Sequence, residues 1–148
     1  FSELWLHLAA YRARPEVDGG RHSHPPSATV GCLTGQELAP IAMPEIVVSL
    51  GDSIPTVARA MPKTPEAVKG VEAAAKKVDA MLLAGNGALT LAAIRNRARL
   101  RMELVEHYAK ILLASRSLGA VQPLPPGDIA KLLEARKKAG LGPQTPAP

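Results

Sequence analysis

The chain has 148 residues, a hydrophobic fraction of 47% and a formal net charge of +5. This composition fits one globular domain and excludes a disordered polypeptide, and no apolar run approaches the ~18 residues that a membrane-spanning helix needs. The single cysteine, Cys32, excludes an intramolecular disulfide, so we expect a reducing compartment, the cytoplasm.

The first part of the chain is predicted to alternate helices with short extended segments. Ser2 is a suitable N-cap for a helix that Pro15 ends, and "GGRHSH" is short and extended. Two prolines then favour the first turn of a helix, "PSATVGCL", which Gly35 closes. Pro44 favours a helix for "MPEIVVSLG", and Pro55 places a strand in "SIPTVARAM" at a sheet edge.

The second part contains the clearest helix and a predicted hairpin. Thr64 as N-cap and Pro65 at the first position predict a helix over "TPEAVKGVEAAAKKV". "DAMLLAGNGALTL" is typical of two buried strands joined by a turn at "GNG". A long helix is predicted over 93–118, with one side formed by Leu100, Leu104, Tyr108, Ile111 and Ser115.

Four parts are predicted along the chain. The domain occupies 1–119, a linker 120–127, a last helix 128–139 that Asp128 caps, and a flexible tail 140–148. The alternation of helices and short strands predicts a layered α/β domain.

Two of the four histidines lie in "HSHPP", residues 22–26. Residues two apart in a strand point to the same face, so His22 and His24 can direct both imidazoles at one metal ion. The prolines turn the chain away and leave the pair at the rim of the sheet. Histidine pairs at this spacing are also common on surfaces without a metal, and the spacing alone does not decide between the two.

Four segments together resemble the class II aldolase/adducin family, which includes the fuculose-phosphate and rhamnulose-phosphate aldolases and the ribulose-phosphate 4-epimerase. They are "SELWLHLAAYRARPEVDGGRHSHPPSAT", "AMPKTPEAV", "AMLLAGNGALTL" and "RMELVEHYAKILLASRSLG". The resemblance runs from Phe1 to about Gly119. It implies a three-layer α/β/α sandwich with a mostly antiparallel central sheet, of the aldolase/epimerase type and N-terminally incomplete. It also implies a homotetramer and a small sugar-phosphate substrate.

The resemblance further implies an active site. Glu3 occupies the position of the acid/base, His22 and His24 those of two zinc ligands, and Asn86 that of a third, histidine ligand. The implied reaction is that of a metal-dependent lyase that cleaves a small phosphorylated ketose. A divalent cation, zinc for this family, would stabilise the enediolate that cleavage leaves. Glu3 equally suits an ordinary helix start, where an acid favours the helix dipole.

Several residues depart from the family pattern. An amide oxygen binds zinc less well than an imidazole does, so Asn86 either ligates weakly, bonds a metal-bound water or supplies a left-handed turn residue, the role we favour. The phosphate-binding G-N-[IV]-S segment is absent upstream of Glu3. Gly20 and Arg21 stand where the family usually has apolar strand residues.

Three further residues could complete or surround the site. His7 could brace Glu3, one helical turn away. His107 is expected at an interface or core edge, and Cys32 as a small core residue.

Two other functions compete with the lyase. Asn86 and the absent phosphate segment favour a non-catalytic oligomerisation or interaction module of the same fold, as in adducin. The positive net charge suggests nucleic-acid binding as a candidate function. The arginines at 95, 97, 99 and 101, however, are spaced by two and would wrap around a helix without forming one basic face. We therefore expect these arginines to form a solvated helix surface, and neither a nucleic-acid nor a membrane partner.

Overall fold

A computed structural model of the chain describes residues 3–143. This range contains six helices and four strands. The helices are α1 Leu4–Ala13, α2 Pro26–Thr34, α3 Pro44–Leu50, α4 Pro65–Ala75, α5 Arg95–Ser115 and α6 Pro126–Lys138. The strands are β1 Gly19–Ser23, β2 Thr56–Val57, β3 Ala80–Leu83 and β4 Ala88–Ala92.

The four strands form one sheet in the order β1-β4-β3-β2. The pairs β1–β4 and β3–β4 are antiparallel, whereas β2 is parallel to β3. Every residue of β3 and β4 is buried, because helices cover both faces of the sheet. The predicted mostly antiparallel sheet within an α/β sandwich is confirmed, and the strand after Pro55 lies at the sheet edge as expected, although it is only two residues long.

The helices form two layers. On one face of the sheet, α2, α3, α5 and α6 enclose a core that includes Ile46, Leu82 and Tyr108. On the other face, α1 and α4 pack over a second core with Leu6, Val71 and Leu89. Within residues 3–143 no helix has the length and apolar character to span a membrane.

Two helix ends follow the local signals that predicted them. The Thr64 hydroxyl accepts a hydrogen bond from the Ala67 N–H at 3.4 Å, which caps α4 as predicted. Gly35 ends α2 with a left-handed φ of 69°. Ser2, the expected cap of α1, and residues 144–148 of the expected tail lie outside the described range.

The side of α5 that was predicted from the sequence varies in burial. Leu100 is exposed, Leu104 and Ile111 are partly buried, and Tyr108 is fully buried. The buried residues of α5 are Ala98, Arg101, Met102, Val105, Tyr108, Ala109 and Leu112. The predicted cap of α6 was wrong. Asp128 does not cap α6; it lies in the first turn and pairs with Lys131 at 3.6 Å.

Candidate active site

The two histidines of "HSHPP" lie beside the turn that joins β3 to β4. Because β1 pairs antiparallel with β4, Ser23 is opposite Ala88 at the end of the ladder. This register brings His22 and His24 next to residues 84–87. Their ring centroids are 5.1 Å apart and the rings are nearly perpendicular.

Asn86, at the tip of this turn, contacts both imidazoles. His22 Nε2 lies 2.6 Å from the backbone oxygen of Asn86, and His24 Nε2 lies 3.3 Å from its side-chain oxygen Oδ1. Amide oxygens only accept hydrogen bonds, so both Nε2 atoms carry the proton in this arrangement. The two rings therefore converge on one residue instead of pointing apart.

Glu3 joins the same group through Asn86. The Asn86 amide nitrogen Nδ2 donates to Glu3 Oε2 at 3.2 Å. Glu3 precedes the first residue of α1 and makes no side-chain capping bond to its own helix. A bridging amide thus brings the carboxylate and both histidines together, although they come from three separate parts of the chain.

The turn owes its shape to its glycines and not to Asn86. Gly85 and Gly87 have φ values of 74° and 76°, whereas Lys63 is the only non-glycine residue with positive φ in the described range. The left-handed role that we favoured for Asn86 was therefore wrong. A Cβ on Gly87 would lie 2.2 Å from His24 Cδ2 and 2.3 Å from the Ser23 oxygen, so only glycine lets His24 approach.

Cys32 makes two hydrogen bonds to the turn around Asn86. The Gly85 N–H donates to the Cys32 oxygen at 2.9 Å, and the Cys32 thiol donates to the Gly87 oxygen at 2.9 Å. Burial raises the pKa of the thiol, which stays protonated and able to donate. Cys32 is a buried core residue, as expected, and it also ties α2 to the turn that carries Asn86.

His7 lies near the group on α1. Burial lowers the pKa of His7, the charge of His22 lowers it further and Glu3 opposes both effects, so this imidazole is neutral at pH 7. A Cβ on Gly20 would lie 2.9 Å from His7 Nδ1 and 3.0 Å from the Tyr11 hydroxyl. Gly20 is thus explained by the close packing of α1 on the strand. Arg21, the other unusual strand residue, is exposed to solvent.

Glu106, on α5, is a residue that the sequence analysis missed. Its carboxylate accepts hydrogen bonds from the Ser27 and Ala28 N–H groups at 3.0 and 2.9 Å. These are orphan donors at the start of α2, which begins with prolines and has no capping side chain of its own. Glu106 therefore fixes the segment that leaves His24. His107, the histidine of α5 that was expected at an interface or core edge, is exposed.

A cavity of about 560 Å³ opens beside Asn86. Its walls are mostly apolar and include Val57, Met61 and Leu83, with Trp5 at one side. The guanidinium of Arg59 lies against Gly85, since a Cβ there would be 2.2 Å from Arg59 Nη2. The cavity therefore combines room for a small organic molecule with one cation close to Asn86.

The donor atoms fit a weakly held divalent cation. Two imidazoles and the Asn86 side-chain oxygen are available, but a catalytic zinc site normally has three stronger protein ligands. Within residues 3–143 no three His, Cys, Asp or Glu side chains are grouped as metal ligands would be. A cation bound through Nε2 would also require each imidazole to exchange its bond to Asn86 for the metal.

The chain is similar in sequence and in fold to known proteins. The family described as "Class II Aldolase and Adducin N-terminal domain" matches residues 2–113. The chain belongs to the class II aldolase and adducin family. A solved L-fuculose 1-phosphate aldolase is 28% identical, with a TM-score of 0.83, over 92% of this chain and 63% of that one. The Escherichia coli protein YgbL is 26% identical, with a TM-score of 0.79, over 89% of this chain and 65% of its own.

The chain is also similar to a relative whose name states a different activity. The 3,4-dihydroxyphthalate decarboxylase of Arthrobacter keyseri is 30% identical, over 88% of this chain and 55% of that protein. The chain thus spans less than two thirds of the length of each of these three relatives. Enzymes of this family, the class II aldolases, typically depend on a divalent metal.

Proposed function

We propose that this chain is part of a carbon–carbon lyase, a class II aldolase that cleaves a small phosphorylated ketose. The observation that carries the proposal is the convergence of His22, His24 and Glu3 on Asn86. Family membership supports carbon–carbon cleavage as the reaction class, and the name of the L-fuculose 1-phosphate aldolase supports a sugar phosphate as substrate.

His22 and His24 would hold a divalent cation, zinc by family analogy, with Asn86 Oδ1 as a third, weak donor. When bound, such a cation acts as a Lewis acid toward the oxygen atoms on which negative charge develops. His22 lies in β1, whose register is fixed by β4, and His24 follows directly after the last paired residue, Ser23. This rigidity is what a site for charge stabilisation requires.

Glu3 would transfer the proton. In aldol cleavage a hydroxyl proton leaves, the carbon–carbon bond breaks, and the ketone-derived fragment keeps the electron pair until its carbon is protonated. A carboxyl group beside the histidines can take up and return that proton. The Asn86 amide, which donates to Glu3 Oε2, holds the carboxylate at this place.

The cavity beside Asn86 would bind the substrate. Its volume of about 560 Å³ accommodates a small sugar phosphate, and Arg59 at its wall provides a cation for the phosphate group. We further propose that the protein acts in the cytoplasm as a homotetramer.

An activity assay with supplied metal tests the lyase. The purified protein is incubated with L-fuculose 1-phosphate, or with 3,4-dihydroxyphthalate, and with zinc, manganese or cobalt, and products are identified by mass spectrometry. We expect cleavage of the sugar phosphate and a loss of roughly 10²–10⁴-fold in Glu3→Gln, as for removal of a general acid–base group. Glu103→Gln, on the exposed side of α5, is the matched control and should retain full activity.

A second candidate function rests on Asn86 itself. Replacement of the third imidazole by an amide favours a non-catalytic, adducin-like interaction module. This candidate predicts no turnover with any metal, and metal binding that becomes measurable only in Asn86→His. Cleavage by the unmodified protein would exclude it, and turnover of 3,4-dihydroxyphthalate alone would redirect the proposal to decarboxylation.

A further inference from the structure

The cavity beside Asn86 has an apolar wall with a charge at one place. Within the described part of the chain, Arg59 is the one charged residue that lines it, and alkyl, aromatic and thioether side chains make up most of the rest. The guanidinium lies against the turn, since a Cβ on Gly85 would be 2.2 Å from Arg59 Nη2. The cation is therefore next to Asn86, whereas Val71 and Leu83 line the wall with side chains that have no polar atom.

Met61 and Trp5 expose apolar surface to this cavity. Met61 lines the cavity and is 75% exposed, and Trp5 is partly buried. Apolar surface that is left in water is unfavourable, and a bound apolar group would cover it. Thioether and indole groups are polarisable and make favourable contacts with alkyl and aromatic groups. These two side chains therefore favour a ligand with an alkyl or aromatic part.

A chain of hydroxyl groups fits the same wall poorly. A hydroxyl that leaves water for an apolar surface loses hydrogen bonds, and side chains such as those of Val71 and Leu83 cannot replace them. The cavity also offers more room than a simple sugar phosphate fills. Its volume of about 560 Å³ lies in the range of roughly 300–1,000 Å³ that is usual for drug-sized ligands.

We propose that the aldehyde half of the substrate carries an alkyl or aryl group, which the wall around Trp5, Met61 and Val71 receives. This inference rests on the lyase function proposed above, with the phosphate bound by Arg59. Cleavage would release dihydroxyacetone phosphate and an apolar aldehyde. Trp5 and Met61 would then determine which aldehyde the enzyme accepts.

The reverse reaction, aldol condensation, tests this selection. The whole chain, supplied with zinc, manganese or cobalt, is given dihydroxyacetone phosphate and glyceraldehyde, butanal or phenylacetaldehyde. The carbon next to the ketone loses a proton and adds to the aldehyde carbonyl, whose oxygen takes up a proton, so the product has the summed mass of both reactants. We expect kcat/KM for butanal and phenylacetaldehyde to exceed that for glyceraldehyde by about tenfold or more, because one methylene group in an apolar pocket already changes kcat/KM by about that factor.

Ala60→Leu narrows the cavity and locates the selecting wall. Ala60 lines the cavity and is partly buried, so a leucine side chain there would occupy space that an aryl group needs. We expect the ratio of kcat/KM for phenylacetaldehyde to that for glyceraldehyde to fall about tenfold. Ala73→Leu is the matched control, because Ala73 is exposed on α4 and does not line the cavity. It should leave the ratio within about twofold.

The outcomes separate this inference from the lyase proposal. A kcat/KM for glyceraldehyde that equals or exceeds those for both apolar aldehydes would overturn the inference and leave the lyase proposal unaffected. An equal change of the ratio in Ala60→Leu and Ala73→Leu would also overturn it, because the selection would then not lie in this cavity. Condensation with none of the three aldehydes would contradict the lyase proposal itself, and the inference with it.

Discussion

The two ends of the central sheet hold their polar residues in different ways. At the histidine end, Glu3 and His22 are partly buried, His24 is exposed, and each makes a contact to Asn86 that a ligand could replace. At the arginine end, Asp79 is completely buried among three guanidinium groups, those of Arg14, Arg101 and Arg136. Each of these arginines also donates to a backbone oxygen, that of Ala75, Ser49 or Val48.

This difference separates groups that can take part in chemistry from groups that hold the fold. A residue that must bind and release a ligand needs partners that can be exchanged at small cost. Asp79, in contrast, connects α1, α5 and α6 to the start of β3, and its loss leaves several cations buried without a partner. The histidine end is therefore expected to tolerate substitution, and the arginine end is not.

Substitution of Asp79 tests this contrast with the largest expected effect. Asp79→Asn removes the only carboxylate that all three buried arginines share, so we expect the free energy of unfolding to fall by about 3–5 kcal/mol. Urea denaturation followed by circular dichroism measures the change. Glu103→Gln breaks an exposed ion pair on α5 and should cost less than about 0.5 kcal/mol. A similar small loss for both variants would mean that the Asp79 group does not hold the helices.

Gly87→Ala tests how far the histidine end depends on its turn. The added Cβ would need a left-handed conformation and would collide with His24, so we expect a loss of roughly 2–4 kcal/mol. Gly35→Ala is a suitable control, because Gly35 has a similar φ of 69° but no atom within 4 Å of the added Cβ. Its loss should be about 1–2 kcal/mol. Equal losses would show that the approach of His24 imposes no constraint on residue 87.

Glu106→Ala tests the support of the segment that leaves His24. The substitution leaves the Ser27 and Ala28 N–H groups without their carboxylate acceptor, and we expect a loss of about 1–2 kcal/mol, as for other helix caps. Thermal unfolding measures it, with Glu103→Ala on the same helix as control. If both variants unfold at the same temperature, water replaces the carboxylate fully and Glu106 has no capping role.

Local signals in the sequence were sufficient for the strand that contains His22 and for the turn around Asn86, since strand propensity and glycines act over a few residues, although the strand ends at Ser23, one residue before His24. Asp79 gave no such signal: its partners come from α1, α5 and α6, and only the tertiary fold brings them together. Arg101 illustrates the same limit. The spacing of the arginines predicted a solvated surface. Arg101 is nevertheless buried, and it pairs there with the carboxylate of Asp79.

The buried face of α5 shows a related limit of the sequence pattern. A helical hydrophobic pattern indicates that one face of the helix is buried. Neighbouring faces differ by a rotation of only one residue, and the elements that pack against the helix determine which face is buried. Leu100 is exposed while Arg101 is buried. Likewise, the role of Asn86 as a bridge depends on Glu3, 83 residues away, and could not be derived from the turn alone.

Cobalt titration tests the central claim, that His22 and His24 form a cation site next to Glu3, most directly. Visible absorption of Co²⁺ is followed for the unmodified chain, His22→Gln and His107→Gln, an exposed histidine on α5 that serves as control. We predict about one bound equivalent in the unmodified chain and in His107→Gln, and an affinity at least tenfold lower in His22→Gln. No bound cobalt, or equal affinities in all three proteins, would contradict the claim.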